Sequence, residues 1–125
     1  MQIFKSRSFN RWAKKERLTD EVLKTAVKEL GIGLVDADLG GNVYKKRIGL
    51  AGRGKRAGVR TLIAFHVGNK AFFLYGFGKN VRANISNKEL KSLRLLAGEL
   101  LGYTDKALTK AVEAKELIEV LNDDD

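Results

Sequence analysis

Two β-rich segments joined by two turn-forming residues constrain the fold of this chain most strongly. Residues 59–67 and 70–78 are rich in β-branched and aromatic side chains, and Gly68 and Asn69 separate them. This spacing is typical of a β-hairpin with a two-residue turn. The turn would place Arg60 opposite Phe77, Leu62 opposite Tyr75, Ala64 opposite Phe73 and His66 opposite Ala71.

The two faces of this hairpin differ in chemistry. Because side chains alternate along a strand, one face would be nearly pure core and is the better candidate to carry helices; it holds Val59, Thr61, Ile63, Phe65, Val67, Phe72 and Leu74. The other face combines Arg60 with Phe73, Tyr75 and Phe77. We expect Phe73 to be a core residue. We expect a functional role for Tyr75 and Arg60, because an arginine is seldom buried without a partner.

Helix and strand signals flank the hairpin on both sides. On the N-terminal side we expect a strand over residues 1–6, a helix from Ser8, a helix capped by Thr19 and ended by Gly31, a loop over 33–42, a strand over 43–48 and a Gly-rich basic loop over 49–58. On the C-terminal side, Ser86 and Glu89 form a capping box, Gly102 stops that helix and Thr104 starts a last one. Residues 117–121 are apolar but too short to assign, and 122–125 are predicted to be a disordered tail.

These elements predict one α+β domain spanning residues 1–125. Short connections between the later strands require antiparallel pairing. We therefore expect a small antiparallel sheet of about four strands, with two N-terminal helices packed on one face and further helices at the C-terminal end.

The basic residues are concentrated in the middle of the chain. Positions 39–88 hold eleven Lys or Arg residues and no Asp or Glu. The whole chain carries +9, so the remainder carries −2, with 13 basic against 15 acidic residues. A solvated face usually mixes both signs. This segment therefore favours an anionic partner, with nucleic acid as the first candidate.

The residue types exclude several kinds of site. The chain contains no Cys, so a disulfide scaffold, a Cys-ligated metal and a cysteine nucleophile are excluded. No apolar segment is long enough to span a membrane, and we expect a soluble, cytoplasmic protein. The single histidine, His66, would lie about 20 Å from Arg60 along the same strand, so we expect a structural role for it.

Six segments resemble one branch of the RelE/HigB-like toxins of bacterial type II toxin–antitoxin systems, within the RelE/ParE superfamily. They are FNRWAKKERLTDEVL (9–23), GLVDADLGG (33–41), VYKKRI (43–48), GVRTLIAF (58–65), FFLYGFGKN (72–80) and RANISNKEL (82–90). The likeness extends from Ile3 to Val120 and keeps the order and spacing of these segments.

The resemblance implies a ribosome-dependent mRNA endoribonuclease that inhibits translation and is neutralised by a cognate antitoxin. In such toxins the 2′-hydroxyl attacks the adjacent phosphate without a metal or cofactor. The partners implied are the antitoxin, the ribosome and mRNA, with no membrane, and we expect the free toxin to be a monomer.

The resemblance also assigns roles to individual residues. Five would be catalytic: Lys45, Arg47, Arg60, Lys79 and Arg82. Arg60 matches an arginine that contacts the scissile phosphate. Residues implied to bind RNA are Lys46, Arg53, Lys55, Arg56, Tyr75 and Phe77. Where relatives carry a Tyr, or a His and a Tyr, after the last strand, this chain offers only Asn84 and Ser86. The general acid and base are therefore not assigned.

Two other functions are compatible with the same residues. One is a module that binds RNA or the ribosome without cleaving RNA. The other is inhibition of DNA gyrase, as in the ParE-like branch of the superfamily.

Overall fold

A computed structural model describes residues 1–50, 54–66, 70–78 and 85–120, with side chains described at all of these positions except 50 and 54–57. The elements in chain order are β1 (Gln2–Ser6), α1 (Arg7–Lys15), α2 (Asp20–Gly31), β2 (Ala37–Asp38), β3 (Val43–Leu50), β4 (Gly54–Phe65), β5 (Lys70–Gly78), α3 (Asn87–Leu101), α4 (Asp105–Glu113) and β6 (Leu117–Val120). None of the described helices is long and apolar enough to cross a membrane.

Each helix begins where a hydroxyl side chain satisfies a free backbone N–H group. The hydroxyls that accept these hydrogen bonds belong to Ser6, Thr19, Ser86 and Thr104. The predicted caps at Thr19 and Thr104 and the predicted capping box of Ser86 and Glu89 are thus confirmed. Helix α1 starts at Arg7, one residue before the predicted position, because Ser6 is its cap.

The described strands form one mixed sheet in the order β2-β3-β4-β5-β1-β6. Six strands are present in the described part of the chain, so the prediction of about four was too low. It was also wrong in expecting only antiparallel pairs, because β1 runs parallel to β5. The two strands that the sequence did not reveal, β2 and β6, are two and four residues long. Segments this short carry no usable periodicity.

The described residues of the predicted basic loop over 49–58, which are 49–50 and 54–58, belong to strands. Strand β3 continues to Leu50, which pairs with Gly54, and β4 starts there. A Cβ atom at Gly58 would collide with the carbonyl oxygen of Ile48. Glycine at this position therefore permits a close approach of two backbones beside a register shift, and does not mark a loop.

A bulge in the β4–β5 hairpin changes the faces of part of β5. Arg60 pairs with Phe77 and Leu62 with Tyr75, as the hairpin prediction requires, but Ile63 then pairs with Phe73. Leu74 is the extra residue of β5. From Leu74 toward the turn, the observed β4–β5 pairing differs from the predicted pairing by one residue. Phe73 therefore lies on the face of Ile63, and not on the face of Arg60 as predicted. Its predicted place in the core is confirmed, since it is fully buried.

Both faces of the sheet are covered by helices. On one face, here called the α1/α2 face, residues such as Phe9, Leu23 and Ile63 form one apolar cluster. On the other face, the α3/α4 face, residues such as Phe72 and Leu100 form a second cluster. The face that was not favoured to carry helices thus carries α3 and α4.

Candidate functional site

Three of the predicted site residues lie together on the α3/α4 face. Arg47 of β3 pairs with Arg60 of β4, and two residues earlier Lys45 pairs with Leu62. Leu62 belongs to the apolar cluster under α3, and residues two apart in a strand share a face. We call Lys45, Arg47 and Arg60 the cationic cluster.

The cationic cluster concentrates positive charge with little compensation. Like charges directly opposite each other across two strands are destabilising. Arg60 is only 7% exposed, and Nη1 donates a hydrogen bond to the carbonyl oxygen of Gly58 at 3.5 Å. Among the described residues neither Arg60 nor Lys45 forms an ion pair. A buried cation in this state is costly unless an anion binds beside it.

One carboxylate, that of Asp36, borders the cluster at the edge of β3. Its Oδ2 accepts a hydrogen bond from the backbone N–H of Arg47 at 2.6 Å, and its Oδ1 lies 3.9 Å from Arg47 Nε. The second distance is too long for a hydrogen bond. Asp36 thus holds the edge of β3 just before β2 begins, and offsets part of the charge of Arg47 only. The sequence did not identify Asp36 as a site residue, because it lies before the basic segment over residues 39–88 on which the prediction was based.

Lys46 does not belong to the cationic cluster. It points to the α1/α2 face, where its Nζ forms an ion pair with Glu29 Oε1 of α2 at 2.9 Å, and the residue is 3% exposed. Its carbonyl oxygen accepts a hydrogen bond from the Thr61 hydroxyl at 2.8 Å. RNA binding by Lys46 stays a prediction, and the position of its side chain beneath a helix does not support it.

The two aromatic residues predicted to bind RNA differ in exposure. Phe77 is 3% exposed and belongs to the core under α3, so its ring has no free face for a base. RNA binding by Phe77 stays a prediction, and its burial does not support it. Tyr75 is partly exposed and lies with its ring centroid 6.0 Å from that of Phe77. Only Tyr75 of the two can present a ring next to the cationic cluster.

Several other predicted site residues cannot be placed. Arg53, Lys79, Arg82 and Asn84 lie outside the described residues. Lys55 and Arg56 belong to β4, and their side chains also lie outside the description.

His66 and Ser86, the remaining candidates, are described. His66 is exposed at the far end of β4, where its N–H donates to the carbonyl oxygen of Lys70. The Ser86 hydroxyl caps α3 by accepting from the N–H of Glu89 at 3.2 Å. In the described part of the chain, no three His, Asp or Glu side chains are grouped so that they could hold a metal ion.

The arrangement is suited to binding a phosphodiester. Two guanidinium groups and one ammonium group share a face, and guanidinium groups match the geometry of phosphate oxygens. The partly exposed ring of Tyr75 lies two residue pairs along the strands from Arg60, where a base could stack.

Comparison with known proteins adds one finding. The model of one protein family, described as the RelE toxin of the RelE/RelB toxin–antitoxin system, matches residues 1–120. No curated protein matches the chain.

Proposed function

This chain belongs to the RelE toxin family, and from that premise we propose that it cleaves mRNA on the ribosome. Membership makes it the toxin of a toxin–antitoxin pair, with an antitoxin as its partner. The proposal adds the reaction, the substrate and a cytoplasmic location, where translating ribosomes are found.

The cationic cluster is the observation that carries the proposal. In the proposed reaction the 2′-oxygen forms a bond to phosphorus while the bond from phosphorus to the 5′-oxygen breaks. The 2′-hydroxyl gives up its proton and the departing 5′-oxygen gains one, leaving a cyclic phosphate and a free 5′-hydroxyl. Negative charge accumulates on the phosphate oxygens on the way. Lys45, Arg47 and Arg60 would stabilise that charge from fixed positions on the sheet.

Binding without cleavage is the second candidate, and one observation favours it. Asp36 is the only described carboxylate that contacts the cluster, and it already accepts the backbone N–H of Arg47. The described part of the site therefore holds groups for binding a phosphate, without an evident proton acceptor. Lys79 and Arg82 keep their predicted catalytic role, outside the described residues.

We also propose that the free toxin is a monomer and that its antitoxin covers the cationic cluster with an acidic segment. Electrostatic complementarity would speed this association and direct it to the cluster. Size-exclusion chromatography of the toxin alone tests the first statement, and weaker co-elution of Arg60→Ala than of Arg11→Ala with the antitoxin would support the second.

The deciding experiment is induction of the toxin in cells, followed by mapping of mRNA 5′ ends. Cuts phased with the ribosome would support the proposed reaction. Intact mRNA with stalled ribosomes would support binding alone, and intact mRNA with DNA damage signalling would indicate gyrase inhibition.

Arg60→Ala tests the site within that experiment. The variant should lose cleavage while keeping its thermal unfolding transition. Arg11→Ala is the matched control, because Arg11 is an exposed arginine of α1, which packs on the opposite face. Full cleavage by Arg60→Ala would refute the assignment of the cationic cluster.

A further inference from the structure

A pocket of about 330 Å³ opens on the α3/α4 face, between β5 and the start of α3. Tyr75, Ile85 and Leu93 give it apolar walls, and Lys88, Glu89 and Ser92 add polar groups. Among the described lining residues none belongs to the cationic cluster, so the pocket is a separate feature of the same face.

The start of helix α3 builds one side of this pocket. The capping box fixes that start, with the Ser86 hydroxyl accepting from the Glu89 N–H and a Glu89 carboxylate oxygen accepting from the Ser86 N–H. Lys88 and Ser92 are four residues apart, as are Glu89 and Leu93. Residues at this spacing lie on the same side of a helix. The polar groups are therefore carried by a rigid element.

Strand pairing brings the pocket close to the cationic cluster. Tyr75 pairs with Leu62, which in turn pairs with Lys45, while Arg60 pairs with Phe77 two residues along β5. Arg60 and Tyr75 are thus diagonal neighbours, which lie about 7–8 Å apart in a sheet. One nucleotide can place its phosphate on the cluster and its base against Tyr75.

We propose that this pocket holds one unstacked RNA base, and that it sets a base preference next to the phosphate bound by the cationic cluster. The inference rests on the proposed function and adds a base-binding subsite to it. An aromatic ring and aliphatic walls suit the flat faces of a base, whereas the phosphate itself would avoid them. Lys88 can donate a hydrogen bond and Ser92 can donate or accept one, and such hydrogen bonds recognise the edge of a base.

The test measures binding of a short RNA that cannot be cleaved. A 2′-O-methyl trinucleotide and the same molecule with an abasic central position are titrated into the ¹⁵N-labelled protein, with amide shifts followed by NMR. Base–aromatic stacking predicts that the intact trinucleotide binds roughly tenfold more tightly than the abasic one. The shifts that distinguish the two should map to Tyr75, Lys88 and Ser92.

Two variants and one control locate the effect. Ser92→Trp fills the pocket from an exposed helix position, and Tyr75→Leu removes the ring while keeping apolar volume. Each should abolish the difference between the two trinucleotides. Leu95→Trp adds the same ring on α3 at a residue that is 70% exposed and does not line the pocket, and should leave the difference unchanged.

The results separate this inference from the proposed function. Equal affinity for the two trinucleotides, with both weakened by Arg60→Ala, would overturn the base pocket and leave the phosphate site standing. An unchanged difference in both pocket variants would place the base elsewhere and overturn it too. If neither trinucleotide binds at millimolar concentration, the pocket is refuted, and the mapping of mRNA 5′ ends still decides the proposed function.

Discussion

Replacing Glu29 with alanine should destabilise the fold strongly, whereas replacing its partner Lys46 with methionine should cost much less. Lys46 Nζ lies 2.9 Å from Glu29 Oε1, and the two side chains are 4% and 25% exposed. Glu29→Ala leaves an ammonium group beneath α2 without its carboxylate. Lys46→Met keeps the aliphatic stem in place and leaves a carboxylate that water already reaches.

The size of the effect follows from this difference in exposure. Removing one partner of a fully buried ion pair costs ~3–5 kcal/mol. Because Glu29 is a quarter exposed, we expect about 2–3 kcal/mol for Glu29→Ala. For Lys46→Met we expect about 1 kcal/mol or less, since a hydrophobic residue of similar volume replaces a buried ion at little cost. The double variant should resemble Lys46→Met, because no charge is then left unpaired.

Urea unfolding monitored by fluorescence checks these values. Trp12 is the only tryptophan of the chain and packs against the α1/α2 cluster, so its emission reports on the relevant layer. Additive free energies in the double variant would refute the reasoning, because they would mean that the two charges do not interact. A loss of RNA cleavage in Lys46→Met as large as in Arg60→Ala would refute the assignment of Lys46 to the core.

Three further predictions concern packing, capping and pH. Gly76→Ala should destabilise the fold by roughly 1–3 kcal/mol, because its Cβ atom would collide with the Trp12 ring. Gly98→Ala should stabilise α3 by about 0.5–1 kcal/mol, because its Cβ atom would lie in open space. Equal unfolding midpoints of the two variants would contradict this difference. Ser86→Ala should lower the free energy of unfolding by about 1 kcal/mol, because it removes the N-cap of α3. An unchanged thermal unfolding midpoint would show that this cap contributes nothing to stability. Burial, followed by nearby acidic groups, raises the pKa of Tyr103 above its ordinary value of 10.0. As pH rises, the Tyr103 hydroxyl therefore loses its proton in the unfolded chain before it does so in the folded one. Its contribution to stability is present below pH 10 and is lost as pH rises through the folded pKa. Tyr103→Phe should lack that part of the fall in unfolding free energy at alkaline pH.

The sequence predicted the features that depend on residues close together in the chain. The helix caps at Thr19, Ser86 and Thr104 were correct because a cap is made by a side chain and a backbone group three residues away. The pairing of Arg60 with Phe77 was also correct. The bulge at Leu74 was not predicted, because no residue type is diagnostic of it, and it moved Phe73 to the other face.

The candidate site was predictable only in part for the same reason. Alternation alone puts Lys45 and Arg47 on one face of β3, and the β3–β4 pairing then adds Arg60. The exposure of a ring on that face depends on what packs above it. Phe77 is buried in the apolar cluster of the α3/α4 face and Tyr75 stays partly exposed, although the sequence does not distinguish the two residues.

By itself the sequence determined the concentration of positive charge, the local helix and hairpin signals and the alternation that groups Lys45 with Arg47. Tertiary structure decided which cations remain available for a ligand. It paired Lys46 with Glu29 of α2, brought Asp36 to the edge of β3 and formed the pocket between β5 and α3. Alternation and capping act over a few residues, whereas burial and ion pairing depend on elements that are distant in the chain and meet only in the folded molecule.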